Sequence, residues 1–333
     1  MSKSLPSDPF ESLEDEIFSL NFGIQDDISL KDSEVDFHRF MSQICEEYNL
    51  EATLQQYPEF FGTNVYTSFT SLFSEAFDLD EDLYKKLYFI NRSLYIYTIY
   101  MDDVADEDEP PKVEACFFVS LLRDRAYALL HDLFPKSSDF WTFAKKYQHR
   151  VITATLQERT KWHNPTSYSL DEAFIIASGR ASTAQMITTA LACLSDSREL
   201  ICPFEKSLDA FFTGILFRDD LKDWRVDFMA GRYSYLLSQI IQRKGLHKKL
   251  ESISLEELGR MIYFTGLAEE ILDQTIDYYQ QALSYVDNVS CTEWKIVIDD
   301  SISETAIMLR NLKKAKAQEI DRIMKLITKK EKF

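Results

Sequence analysis

Eight glycines and eight prolines are the only strong backbone breakers in 333 residues, and long stretches run without either. A chain this poor in turn-forming residues cannot supply the many tight reversals of a sandwich or barrel, so it predicts long helices. Periodicity agrees. From 33 to 57 the apolar positions Val35, Phe37, Phe40, Met41, Ile44, Cys45 and Tyr48 recur at helical spacing. Further helices are expected over 63–77, 81–106, 112–133, 138–163, 171–194, 208–229, 233–243 and 254–286, and from Trp294 into a lysine-rich tail. Asn164-Pro165 and Cys202-Pro203 read as loops between them. The expectation is an all-α, single-domain bundle over 33–333, preceded by an acidic arm over 1–32.

Two of these helices are unusual in being apolar nearly all round before they end in acid. The run from Leu87 to Met101 closes on Asp102-Asp103-x-x-Asp106, and the run from Leu208 to Phe217 closes on Asp219-Asp220-x-x-Asp223. Helices apolar on most sides are buried on most sides. Carboxylates four apart lie one turn apart on one face, where they repel each other, and the dipole at a helix C-terminus adds to the repulsion. Such clusters lower stability unless a cation sits among them. Oxygen-only ligands suit a hard ion, and Mg²⁺ binds through one or two carboxylates together with substrate phosphates and water.

One D-D-x-x-D is a coincidence-prone pattern in an acidic chain. Of four Asp-Asp pairs, at 26, 102, 219 and 299, only the two that follow long apolar runs are completed by a third aspartate. The second motif extends further, since Asp219, Asp223 and Asp227 line one stripe over two turns. Arg218, Lys222, Arg225 and Arg232 surround them. A surface helix laced with ion pairs accounts for the basic residues but not for three aspartates without partners at their own spacing.

These motifs resemble those of the class I terpenoid synthase superfamily, which includes trans-prenyl diphosphate synthases and class I terpene cyclases. The resemblance covers about residues 63 to 310 and implies a helical bundle around a central cavity. At its mouth Asp102, Asp103 and Asp106 would face Asp219, Asp220, Asp223 and Asp227. Together these are expected to hold three Mg²⁺ ions, with Mn²⁺ as a substitute, on a prenyl diphosphate substrate. Gly231-Arg232-Tyr233-Ser234 is similar to the short segment that follows the second motif in prenyl synthases. Gly179-Arg180 places a charge inside an apolar helix, where the superfamily breaks the chain and a basic residue senses the diphosphate. Arg180, Lys222, Arg232, Tyr233 and, on the last apolar helix, Arg310 are therefore the expected diphosphate contacts. Residues one and two turns before the metal ligands are expected to line the cavity: Tyr95, Thr98 and Ile99 on one helix, and Phe212, Ile215 and Leu216 on the other.

The sequence departs from chain-elongating members in two places. An N-terminal G-G-K-x-x-R-P-type segment is absent, and Asp108-Glu109-Pro110-Pro111-Lys112 stands where arginines are expected after the first motif. On that basis the reading is a terpene cyclase, a carbon–oxygen lyase that ionises one allylic diphosphate. Chain elongation with isopentenyl diphosphate is the alternative, and a non-catalytic scaffold of the same fold is a third. No H-E-x-x-H, G-x-S-x-G or glycine-rich phosphate loop is present.

A net charge of −18 and a sequence pI of about 4.8 disfavour nucleic acid and anionic membrane as partners. The exception is the basic tail carrying Lys313, Lys314, Lys316, Arg322, Lys325, Lys329 and Lys330, read as a solvated terminal helix. No stretch approaches the roughly 18 apolar residues of a membrane span. Five scattered cysteines without a C-x-x-C pair fit a reduced, cytoplasmic protein. A homodimer is left open.

Overall fold

The computed structural model describes residues 31–48, 65–106, 112–163, 168–246 and 253–330. Among the described residues there is no strand. The helices are α1 Lys31–Tyr48, α2 Phe69–Leu72, α3 Glu81–Asp106, α4 Val113–Leu133, α5 Phe140–Trp162 and α6 Leu170–Arg180. They continue with α7 Ser182–Leu194, α8 Ile201–Met229, α9 Tyr235–Lys244, α10 Leu255–Phe264, α11 Leu267–Tyr285 and α12 Thr292–Lys330. The arm expected over 1–32 lies outside the described residues except for Lys31 and Asp32, which already belong to α1.

α8 is the central helix. Its residues Phe204, Leu208, Phe211, Phe212 and Ile215 belong to one apolar cluster, and Leu216, Phe217, Leu221 and Trp224 to a second. That two-sided burial follows from a sequence apolar around most of its circumference. α8 packs most extensively on α11, and α3 on α4. A third cluster joins α1 to α3 and α4 through Phe37, Met41, Tyr88 and Phe118. The buried Trp294 indole donates to Ser207 Oγ at 2.9 Å, and that hydroxyl donates to the Ala282 carbonyl at 2.8 Å. This relay ties α12, α8 and α11 together where an unpaired polar group would be costly.

Four boundaries differ from the sequence expectation. The helix expected over 63–77 is a single turn, α2, flanked by 3₁₀ turns at Val65–Thr67 and Ser74–Ala76. There the aromatic side chains Phe69 and Phe73 stack against each other and Phe73 packs on Phe204, so tertiary contacts set the backbone path. The helix expected over 171–194 breaks at Ala181 into α6 and α7. The segment 254–286 breaks at Gly266, whose φ of 92° is a left-handed conformation that ends one helix and starts another. Pro203 does not mark a loop. It sits in the first turn of α8, where a missing N–H leaves no helical bond unmade.

Candidate active site

α3 and α8 bring Asp102 and Asp219 to the wall of one cavity of about 530 Å³. Tyr95, Thr98 and Ile99 from α3 and Phe212 and Ile215 from α8 line it too, along with Tyr66 and Phe69, Thr155 and Glu158 from α5, and Gly179, Arg180 and Thr183 from the α6–α7 corner. Leu216, expected beside Ile215, does not line it. One residue further along a helix is a rotation of about 100°, and Leu216 packs instead in the cluster around Trp224 and Tyr263.

Much of the wall is aromatic. Tyr66 stacks on Tyr95 at 5.6 Å between ring centroids and meets Phe212 at 5.7 Å, and Phe69 lies 6.1 Å from Phe212. Thr98 Oγ1 is satisfied by the Leu94 carbonyl at 2.8 Å. A second cavity of about 490 Å³ lies beyond, lined by Tyr127, Gln148 and Met186 among others, and shares Tyr97, Thr98, Val151, Ile152 and Thr183 with the first. Ile152 and Leu156 line the first cavity yet are exposed, so this side of it reaches the molecular surface.

The charged groups collect near one another. Arg180 Nη2 donates to Glu158 Oε1 at 2.6 Å, and Glu158 is 9% exposed. Glu158 itself carries no motif. Burial pushes its carboxyl above the ordinary range against the pull of Arg180, and Asp102 pushes the same way. Asp219 is raised by burial, with Arg218 and Arg180 pulling it back. Glu158, Asp102 and Asp219 in turn hold Arg180 firmly protonated. The close approach depends on Gly179. A Cβ there would sit 2.0 Å from Ala154 Cβ and 3.1 Å from the Arg150 carbonyl oxygen, so α6 reaches α5 only without a side chain.

The remaining aspartates of the second motif differ from one another. Asp220 is buried and accepts a 3.0 Å hydrogen bond from the Leu236 N–H, satisfying the first turn of α9, where the Ser234 side chain makes no capping bond. Burial raises its carboxyl well above the ordinary range, Leu236 offsets part of this, and Asp227 adds to it. Asp223 is exposed. Asp227 is half-buried, 3.7 Å from Arg232 Nε, and its carboxyl is pushed up to about 6 by burial, with Asp223 and Glu158 adding and Arg232 opposing. Arg232 lies over the Trp162 ring at 5.5 Å, and the Tyr233 N–H donates to the Trp162 carbonyl at 3.2 Å. The segment after the motif is thus docked on the end of α5. Lys222 and Arg310 are exposed and neither lines the cavity. α3 runs through Asp103 and Asp106, whose side chains lie outside the described residues.

Among the described residues no three acidic, His or Cys side chains converge tightly enough to hold an ion alone. The donor set nonetheless fits a hard divalent cation that draws its other ligands from phosphate and water. The carboxyls of buried Glu158 on α5 and of half-buried Asp219 and buried Asp220 on α8 are all raised, the condition that an added cation relieves. Glu158, Tyr66, Phe69, Thr155 and Thr183 are among the cavity residues that the motifs missed. The one sequence signal for Glu158 was indirect, since an arginine inside an apolar helix demands a counter-charge.

No family model and no curated protein matches the chain. Solved structures do. The heptaprenyl diphosphate synthase of Staphylococcus aureus aligns with a TM-score of 0.64 at 16% identity, over 83% of this chain and 98% of its own. The octaprenyl pyrophosphate synthase of Helicobacter pylori aligns at 0.61 and 12% identity, over 82% and 99%. A Caulobacter crescentus polyprenyl synthase solved with calcium and isoprenyl diphosphate aligns at 0.60 and 12%, over 89% and 97%. The chain has the all-α isoprenoid synthase fold. The cyclase expectation, and with it the lyase assignment, is overturned, because these structural neighbours are prenyl diphosphate synthases, which are transferases. Among the described residues no helix is long and apolar enough to cross a membrane.

Proposed function

We propose that the protein is a Mg²⁺-dependent trans-prenyl diphosphate synthase, which transfers an allylic prenyl group to isopentenyl diphosphate. The observation that carries this reading is the meeting of Asp102, Asp219 and Arg180 at one apolar, aromatic-walled cavity in a fold shared with such synthases. Asp102 and Asp219, joined by Asp103, Asp106, Asp223 and Asp227, are the residues assigned to the ions. When bound, Mg²⁺ supplies positive charge that stabilises the departing diphosphate.

The protein's own groups do the rest. Arg180, fixed by Glu158, presents a guanidinium to the diphosphate oxygens and stabilises the charge that develops as the allylic C–O bond breaks. The electron pair leaves with the diphosphate. The apolar walls hold the prenyl chain and exclude water that would trap the allylic cation, while the faces of Tyr66, Tyr95 and Phe212 stabilise positive charge without reacting. The double bond of isopentenyl diphosphate then attacks the allylic cation to form the new C–C bond, and the resulting cation passes a proton to the released diphosphate to regenerate an alkene. Val113, Phe117, Ile152 and Leu156 are exposed apolar side chains on α4 and α5, which supports the pairing of two copies through these helices.

The acidic stretch after the first motif makes a two-substrate assay the sharp test. Purified protein is incubated with Mg²⁺ and allylic diphosphates of several lengths, with and without isopentenyl diphosphate. Lengthened diphosphates that appear only with isopentenyl diphosphate are expected. Hydrocarbon or alcohol products from the allylic substrate alone, or no turnover of any pair, overturn the proposal.

A further inference from the structure

α12 is 39 residues long, about 58 Å at 1.5 Å per residue, and the body of the protein covers only its first part. Leu312 is fully buried, Ala315 packs on the second apolar cluster, and Lys316 Nζ lies 2.6 Å from Glu269 Oε1. Past that ion pair, Ala317, Gln318, Ile320, Asp321, Arg322, Met324 and Lys325 are all exposed. Ile320 is 47% and Met324 57% accessible. In sequence, Ile320, Ile323, Met324 and Ile327 follow the i, i+3, i+4, i+7 pattern of a single helix stripe.

The charge of this segment is opposite to that of the chain. Residues 317–330 carry four Lys and Arg against Glu319 and Asp321, a net +2, while the whole protein carries −18. Two of the cations are spent locally, Arg322 on half-buried Glu319 and Lys325 on exposed Asp321, and such surface pairs yield readily to a stronger field. A helix with one apolar stripe and a basic polar face fits the headgroup boundary of an anionic bilayer, with the stripe among the upper acyl carbons and the lysines at the phosphates. The acidic body is repelled by the same surface, so attraction confined to one helix end orients the molecule as well as binding it.

We propose that the segment of α12 beyond Lys316 is a docking helix for anionic lipid surfaces. The inference does not depend on the reaction catalysed. The test uses the full chain and vesicle sedimentation, comparing phosphatidylcholine alone with phosphatidylcholine containing roughly one third phosphatidylglycerol. At about 0.1 M salt, binding to the anionic vesicles is expected to exceed binding to the neutral ones by about tenfold or more. It should vanish at about 1 M, where the Debye length falls from about 10 Å to about 3 Å. Ile320→Glu with Met324→Glu, and separately Lys325→Glu with Lys329→Glu and Lys330→Glu, should each cut anionic binding about tenfold. Urea denaturation should show both variants as stable as the parent. Equal binding to both vesicles, or anionic binding kept by both variants, overturns the proposal. So does lipid-free self-association that the Ile320→Glu/Met324→Glu variant abolishes while vesicles go unbound, which would make a second copy the occupant.

Discussion

Replacing Asp227 by asparagine should make the metal-free protein more stable at neutral and alkaline pH. The ordinary carboxyl value is 3.8, and in the folded protein Asp227 titrates at about 6. Between those values the folded state keeps a proton that the unfolded chain releases. Stability is therefore highest below the unfolded value and falls as pH rises through the folded one. A gap of about two pH units corresponds to about 3 kcal/mol at 1.36 kcal/mol per unit. The side chain is 23% exposed, and solvent screening together with the loss of the Arg232 contact trims the net gain to about 1–2 kcal/mol. The amide of the substituted side chain cannot ionise, so the gain of Asp227→Asn over the parent appears near pH 8 and shrinks to about zero near pH 4. Urea denaturation at the two pH values measures it. A second arm adds Mg²⁺ and pyrophosphate, which should stabilise the parent by about 2.7 kcal/mol at 100 times the dissociation constant and the variant much less. A variant less stable than the parent near pH 8 refutes the electrostatic argument. An undiminished gain from Mg²⁺ and pyrophosphate removes Asp227 from the ion-binding set.

Three further outcomes follow from the geometry. Arg180→Gln should lower kcat by about 10²–10³-fold and Glu158→Gln by about tenfold. The double variant should lose no more than Arg180→Gln alone, because the pair acts as a unit; additive losses in steady-state kinetics contradict that coupling. Gly179→Ala drives a methyl into Ala154 and should destabilise by about 1–3 kcal/mol in urea. It should also lower activity, since Arg180 is the next residue; wild-type stability would mean that α5 and α6 separate freely. Ser207→Ala strips the Trp294 indole of its acceptor and should cost about 1–3 kcal/mol, with an unchanged denaturation midpoint as the contrary result.

Much of the architecture was readable because two physical constraints act on composition directly. Scarce breakers and helical periodicity place α3 and α8 because both helices are apolar on most sides. Asp102, near the end of α3, and Asp219, which closes the apolar run of α8 ten residues before that helix ends, stood out because clustered carboxylates on such helices are costly without a cation. The misses have equally local causes. The single turn at Phe69–Leu72 is set by packing partners distant in sequence, which periodicity does not register; periodicity also ran through the break at Ala181, which the family resemblance implied near Gly179-Arg180. Leu216 fell on the wrong side because a stripe drawn one and two turns back from a ligand is about 100° too generous. Glu158 escaped because one glutamate in a charged amphipathic helix looks like any other until its arginine is placed beside it. Chain elongation and cyclisation both begin by ionising an allylic diphosphate. The acidic stretch after the first motif tipped the reading towards the wrong one.

Asp220 ties the site to the rest of the fold in a way that can be timed. Its Oδ2 accepts from the Leu236 amide, so a ligand that takes that oxygen must release the first turn of α9. Hydrogen exchange at that single amide then becomes a clock for occupancy. It is slow while Asp220 caps the helix and quickened whenever the carboxylate turns towards a bound ion.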